Sequence, residues 1–344
     1  MHYVLRTTHH VMKLYLNAIH EDTPGPKWQV LFEAAWPLYQ KWFLSEGVMA
    51  RPGYVTSRRK LREFMPELLP IYEQLVKLAG GGDLAARFLS LYNPPPYLFG
   101  CSQAVWPKTP LLVRNYDYSP RLFEGNLLYT RWHRAVIAMI DCTWGVLDGL
   151  NEAGLSVSLA FGGRKVVGEG FGIPLILRYI LEFCETTTQA AEVLQRVPVH
   201  MPYNVTTLDQ AGRVVTAYLG PDHPAQITEA LVSTNHQNGI DWTDYARLTS
   251  TVERREFLEA RLADPAETEE KFIHRFQRSP LHNTQYERAF GTLYTAIYRP
   301  TRLTAEYRLP NQTTLHQSFD AFEEREIFVH LDLARALPKR KKML

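Results

Sequence analysis

Between Ser57 and Ala79 the apolar positions fall at Leu61, Phe64, Leu68, Tyr72, Leu75 and Leu78. This three-to-four spacing turns one face of a helix toward a core. Ser57 is placed to cap its start and Gly80-Gly81-Gly82 to end it, while Pro66 and Pro70 predict a kinked or split helix. Trp28 to Leu44, around Pro37, has the same character. Asp83 caps a shorter run, Leu84 to Leu91, which Pro94 must stop. The first hundred residues thus read as a helical leader.

After Cys101 the period changes to two. Leu111, Val113 and Asn115 alternate with residues of the opposite face, and Asn126 to Asp141 holds two β-like runs. Asn151-Glu152-Ala153-Gly154 is a turn into Leu155 to Phe161, a strand with large apolar residues on one face and small ones on the other. Helical stretches are predicted at Pro174 to Cys184, Thr188 to Val197, Ser250 to Ala263 and Glu267 to Arg278. Hairpins are predicted at Asn204 to Leu219 and Gly291 to Leu309. Paired strands, then paired helices, then strands again point to an α+β fold with two packed antiparallel sheets and helices outside. The strict strand–helix alternation of a doubly wound sheet is absent.

The bulk numbers narrow the function. A chain of 344 residues, 45% apolar, can bury one large core or two modest ones. A net charge of +2, with acids and bases mixed, leaves no basic stripe for nucleic acid; the short tail Lys339-Arg340-Lys341-Lys342 reads as a solvated terminus. Cys101, Cys142 and Cys184 are too few and too scattered for a disulfide framework, and no metal-ligand spacing occurs. Neither a signal-length apolar run at Met1 to Arg6 nor a bilayer-length segment is present, so a soluble cytoplasmic protein is expected. The sequons at Asn204 and Asn311 are short enough to arise by chance. Gly168-Glu169-Gly170-Phe171-Gly172 has the wrong spacing and context for a nucleotide loop.

The chemistry gathers at Gly100–Cys101, which follows the leader and the run Asn93-Pro94-Pro95-Pro96 and opens a β-like stretch. Cutting that bond would give Cys101 both a thiol and a free α-amine, the latter titrating near pH 7.7–8, about where a general base is needed. Nucleophile and base would then reside in one residue. Gly100 suits the step, because a residue without Cβ tolerates the distorted backbone that the attack needs.

Gly-Cys opening a strand, Arg114-Asn115-Tyr116-Asp117-Tyr118, the turn Asn151-Glu152-Ala153-Gly154-Leu155 and Thr234-Asn235-His236 occur in that order. Together they resemble the N-terminal-nucleophile hydrolases of the penicillin acyl-CoA:6-aminopenicillanic acid acyltransferase family (peptidase C45-like), and more distantly the choloylglycine hydrolases. The resemblance runs from about Met65 to about Leu309. It implies a four-layer αββα sandwich made as a precursor. Residues 1–100 would be the helical prosegment, kept after cutting as a non-covalent subunit, and 101–344 the catalytic domain. By resemblance Cys101 is the nucleophile, Asp117 holds its α-amine, Arg114 lies beside its sulfur, and Asn235 with the backbone N–H near Phe161 forms the oxyanion hole. Relatives carry Asn or Tyr at the Phe161 position. Arg254, four residues after Ser250, corresponds to an active-site arginine of the choloylglycine relatives, although a solvated helix face fits it equally well. On this mechanism His236 is a wall residue, and Cys142 and Cys184 belong to the core.

The function so implied is hydrolysis or transfer of the acyl group of a linear, non-peptide amide through a Cys101 thioester. No cofactor is required; an acyl-CoA enters only as a co-substrate. The partners are a small N-acyl amide and the leader, and a homo-oligomer is compatible, without nucleic acid or membrane. Two alternatives stay open: a papain-like cysteine hydrolase, which would want Cys101 at a helix start where Pro107 and Pro110 intervene, and an unprocessed binding protein of the same fold.

Overall fold

The computed structural model describes residues 11–97, 100–288, 290–310 and 312–332. The basic tail at 339–342, the first residues of the chain and Asn311 of the second sequon lie outside them. The leader comprises β1 (Val11–His20), α1 (Pro26–Phe43), α2 (Tyr54–Phe64), α3 (Leu69–Leu78) and α4 (Asp83–Leu89). Then come β2 (Gly100–Trp106), β3 (Leu111–Tyr118), β4 (Asn126–Arg131), β5 (Ala135–Asp141), β6 (Gly145–Asn151) and β7 (Ser156–Phe161). The helices α5 (Ile173–Phe183) and α6 (Thr187–Arg196) precede β8 (Tyr203–Leu208), β9 (Val214–Gly220), β10 (His223–Thr228) and β11 (Val232–Ser233). The chain continues through α7 (Thr243–Thr249), α8 (Thr251–Ala263), α9 (Glu269–Arg275), β12 (Gly291–Arg299), β13 (Thr304–Arg308), β14 (Thr314–Ser318) and β15 (Arg325–Asp332).

The strands form two sheets, giving a mixed α+β protein. One is ordered β10-β9-β8-β7-β6-β5-β4-β1-β15 and the other β11-β2-β3-β12-β13-β14. They face each other through β2 and β3 against β7 and β8. Gln103 Nε2 donates to Asn204 O at 3.2 Å and Arg114 Nε to Leu159 O at 3.1 Å. Alternation along β2 sends Cys101, Gln103 and Val105 between the sheets and Ala104 and Trp106 to the other face, where Leu258, Phe272 and Phe276 of the α8–α9 layer cover them. Helices α5 and α6 cover the outer side of the larger sheet.

The leader departs from the all-helical expectation. Residues 11–20 form β1, inserted between β4, to which it is parallel, and β15, to which it is antiparallel. The alternation of Leu14, Leu16 and Ala18, each buried, with Lys13, Tyr15 and Asn17 is a strand pattern. Pro66 splits the Ser57–Ala79 run into α2 and α3, joined by a short 3-10 turn. Ser57 lies inside α2, which starts at Tyr54 after Gly53, and Asp83 sits in the first turn of α4 after Gly82. The leader helices dock on the sheet turn at 142–144: Trp28 Nε1 donates to Thr143 O at 2.9 Å, and Trp144 Nε1 to Leu89 O at 3.0 Å. Asn204 of the first sequon is fully buried, which removes it from any glycosylating enzyme in the folded chain.

Candidate active site

Cys101 is the second residue of β2 and is fully buried, with Tyr116 of β3 directly opposite. Each of its polar atoms has a side-chain partner. Arg114 Nη2 lies 3.1 Å from Sγ, the backbone N–H donates to Asn235 Oδ1 at 3.0 Å, and the carbonyl accepts from Arg254 Nη1 at 2.8 Å.

Strand alternation decides which residues can do this. Arg114 stands opposite Gln103 and shares its inward face, whereas Asp117 stands opposite Gly100 on the other face. Arg114 and Asp117, at i and i+3 on one strand, thus leave opposite faces, as strand alternation requires. The Asp117 carboxylate accepts from Thr292 Oγ1 at 2.6 Å and pairs with Arg254 Nη1 at 3.4 Å, while the Cys101 N–H goes to Asn235. Burial raises the Asp117 carboxyl above its usual range, against the opposing pull of Arg254, the Thr292 hydroxyl and Arg114.

Arg114 is fully buried and held by Asp148 of β6, with which it forms an ion pair. Tyr294 Oη donates to Asp148 Oδ2 at 2.6 Å, and Tyr298 donates to the other oxygen. This frame fixes the guanidinium beside the sulfur. It does not make the thiol acidic in the closed site. Burial pushes the Cys101 thiol up to about 11, and the charge of Arg114 offsets only part of that.

Asn235 follows the two-residue strand β11, which pairs with β2 through Ser233 and Gln103. Its loop is tied on both flanks: Asn204 Nδ2 donates to Thr234 O at 2.8 Å and to His236 O at 2.9 Å. Gly163, at φ +75°, lets a second loop come so close that a Cβ there would sit 2.3 Å from Asn235 O. Asn235 Nδ2 donates to Phe161 O at 3.2 Å, so in the closed site Phe161 presents its carbonyl, not its N–H, to the asparagine. The Phe161 ring packs edge-on against Tyr245 at 5.3 Å, an apolar wall where an Asn would be polar.

Arg254 is buried and not solvated. Ser250, in the left-handed region, breaks α7 from α8 and aims the next turn inward. Arg254 Nε donates to Thr249 O at 2.7 Å, Nη1 to Ser102 Oγ at 2.7 Å, and Nη2 to Asn235 Oδ1 at 2.8 Å. It thereby connects Cys101, Asp117 and Asn235. His236 bonds through Nδ1 to Thr251 Oγ1 at 2.9 Å, and burial, with Arg255 and Arg254 nearby, lowers it to about 4. It is therefore neutral at pH 7.

The sequence reading missed Asp148, Thr292, Tyr294 and Tyr298. Asp148 had a signal: one acid inside the apolar run Gly145-Val146-Leu147-Asp148-Gly149-Leu150, a burial that needs a partner. Among the described residues no group of three or more His, Cys, Asp or Glu side chains is arranged to hold a metal ion, and no helix is long and apolar enough to cross a membrane.

Comparison with solved structures finds similar chains at low identity. Penicillin V acylase from Agrobacterium tumefaciens is 12% identical, over 68% of this chain and 92% of that one, with a TM-score of 0.45. A mutant of conjugated bile acid hydrolase from Clostridium perfringens is 11% identical over 68% and 96%, at 0.43. The Caenorhabditis elegans ortholog of N-acylethanolamine-hydrolyzing acid amidase is 16% identical over 67% and 99%, at 0.43. No curated protein matches. A scan of family descriptions matches residues 106–314, a segment that holds Arg114, Asp117, Asp148, Asn235 and Arg254 and begins just past Cys101. With more than half of its length matched, the chain belongs to the acyl-coenzyme A:6-aminopenicillanic acid acyl-transferase family.

Proposed function

We propose that this protein is a self-processing N-terminal-nucleophile amidohydrolase or acyltransferase acting on linear amides, with Cys101 as nucleophile. One observation carries the reading: sulfur, nitrogen and carbonyl oxygen of Cys101 are each held by a buried polar side chain, Arg114, Asn235 and Arg254. An inert core thiol needs none of them.

In maturation the Cys101 sulfur attacks the Gly100 carbonyl carbon. The C–N bond to Cys101 breaks, its nitrogen takes a proton, and water then hydrolyses the thioester to leave a Gly100 carboxylate and a free Cys101 amine. In turnover that amine takes the thiol proton as sulfur attacks the substrate amide. The substrate's amine departs with a proton, and water or a second amine accepts the acyl group. Asn235 is the side-chain donor for the tetrahedral oxygen; losing such a donor typically lowers the rate about 10²–10³-fold. Asp117 holds the new α-amine, Arg254 holds the Cys101 carbonyl, and Arg114, set by Asp148, stabilises the thiolate once substrate access admits water. Residues 1–100 remain bound as a second polypeptide.

Denaturing electrophoresis of the purified protein tests this. Wild type gives two fragments divided after Gly100, and Cys101→Ala gives one band at 39.7 kDa. A single full-length wild-type band that still turns over N-acyl amides would sink the N-terminal mechanism.

A further inference from the structure

A cleft of about 560 Å³ runs beneath α1. Its walls are Val30, Leu38 and Trp42 of α1 together with Tyr97, Tyr118 and Phe123. At its rim Val30, Leu38 and Leu122 stand 64%, 53% and 49% exposed, an apolar edge on the described part of the chain. Its size is that of a small-molecule site.

The floor is polar and acidic. Tyr39 Oη lies 2.6 Å from Glu124 Oε2 and 2.8 Å from Asp141 Oδ1, and it accepts the Cys142 N–H at 2.9 Å. One phenolic proton cannot serve two carboxylates at once. Thr143 N–H and Asn126 Nδ2 also donate to Glu124, and among the described residues no Lys, Arg or His lies within ion-pair distance of either acid, Arg114 attracting Asp141 only from farther away. Arg121 lines the cleft too, but it is exposed and outside ion-pair distance of them. A cavity with apolar walls and two crowded acids at its base, Asp141 pushed up to about 7 by burial and by Glu124, is complementary to an ammonium group carried on an apolar body, whose charge would relieve the crowding. The ammonium offers three donors and no acceptor, the reverse of the floor's needs.

The cleft also adjoins the nucleophile. Tyr118 and Phe123 pack on the Tyr116 ring at 5.6 and 6.1 Å between centroids, and Tyr116 lies opposite Cys101 and 4.8 Å beneath the Arg114 guanidinium. A bound molecule would rest one aromatic ring from the reacting sulfur.

We propose that this cleft is a binding site for amphiphilic primary amines, with the ammonium on the Tyr39–Glu124–Asp141 cluster and the apolar body along α1. Binding requires neither processing nor turnover, so it is tested in full-length Cys101→Ala, where failure of the amidase reading cannot affect the result. Calorimetric titration compares 4-phenylbutylamine with 4-phenylbutan-1-ol. The amine is expected to bind at least tenfold more tightly. Asp141→Asn and Glu124→Gln should each reduce that preference, and Ala34→Trp, on the partly open α1 wall of the same cleft, should weaken both ligands. Equal binding of amine and alcohol, no binding of either, or amine affinity untouched by Ala34→Trp each overturns the proposal. So does a preference that survives in both carboxylate variants. If neither carboxylate variant folds, the amine–alcohol ratio and Ala34→Trp still decide it.

Discussion

Arg254→Met removes a guanidinium and keeps an unbranched apolar stem. Four hydrogen bonds disappear, to Thr249 O, Cys101 O, Ser102 Oγ and Asn235 Oδ1, along with the contact to Asp117. Asp117, only 1% exposed, is left with Thr292. Removing one partner of a buried pair costs about 3–5 kcal/mol, because the remaining charge is stranded. Asp117 can escape part of this by taking up a proton, which its raised carboxyl already favours, so the lower end applies. At about 2 °C per kcal/mol, the value suited to a long chain, the melting temperature should fall by about 6 °C. Thermal unfolding followed by circular dichroism measures this, and electrophoresis of the same sample should show cutting at Gly100–Cys101 slowed. Arg255→Met is the control. Its neighbour Glu259 is an i, i+4 surface partner at 2.8 Å, a type of pair that contributes about 0.3–0.5 kcal/mol. If the two variants melt alike and Arg254→Met is processed like wild type, the guanidinium does not organise the site and the reasoning fails.

Gly100→Ala should trap the uncut chain. Its Cβ would stand 2.3 Å from Phe290 Cζ and 3.3 Å from Asp117 Cβ, so the Gly100 carbonyl must tilt or the Phe290 ring must leave. A misplacement of about 1 Å at a reacting centre can cost about 10²-fold in rate, and a time course by electrophoresis should show at least a tenfold slowing; wild-type kinetics would refute the steric argument. In that uncut protein the Cys101 thiol is protonated at neutral pH and becomes thiolate only as pH rises toward about 11. The thiolate absorbance at about 240 nm, taken as the difference between this variant and the same variant with Cys101→Ala, should therefore keep rising with pH beyond about 9, the ordinary upper range of a free thiol. A plateau near that ordinary range would mean that Arg114 outweighs burial.

The parts of the fold legible in the sequence were those with an uninterrupted period. Helices α5 and α6, the β8–β9 turn and the β12–β13 hairpin follow from apolar spacing and turn residues. Strand β1 was hidden because its alternation sits beside strongly helical segments and its partners, β4 and β15, are far along the chain. No local signal reports a pairing of that kind. At the candidate site the resemblance pointed to Cys101, Arg114, Asp117 and Asn235, but not to the buried partners that hold them. Arg254 was ambiguous since a polar residue on a polar-looking helix declares its burial only through tertiary neighbours. Asp148 was missed because its meaning depends on Arg114, on a different sheet.

The position of β1 bears on how this protein survives unfolding. The leader contributes an interior strand of the larger sheet, with β4 on one side and β15 on the other. In a continuous chain that strand finds its slot by an intramolecular search, at a rate indifferent to protein concentration. If the Gly100–Cys101 bond is cut as proposed, the same docking would become an encounter between two molecules, and refolding would slow on dilution. Cutting would thus make the closing of the larger sheet depend on the concentration of the two pieces.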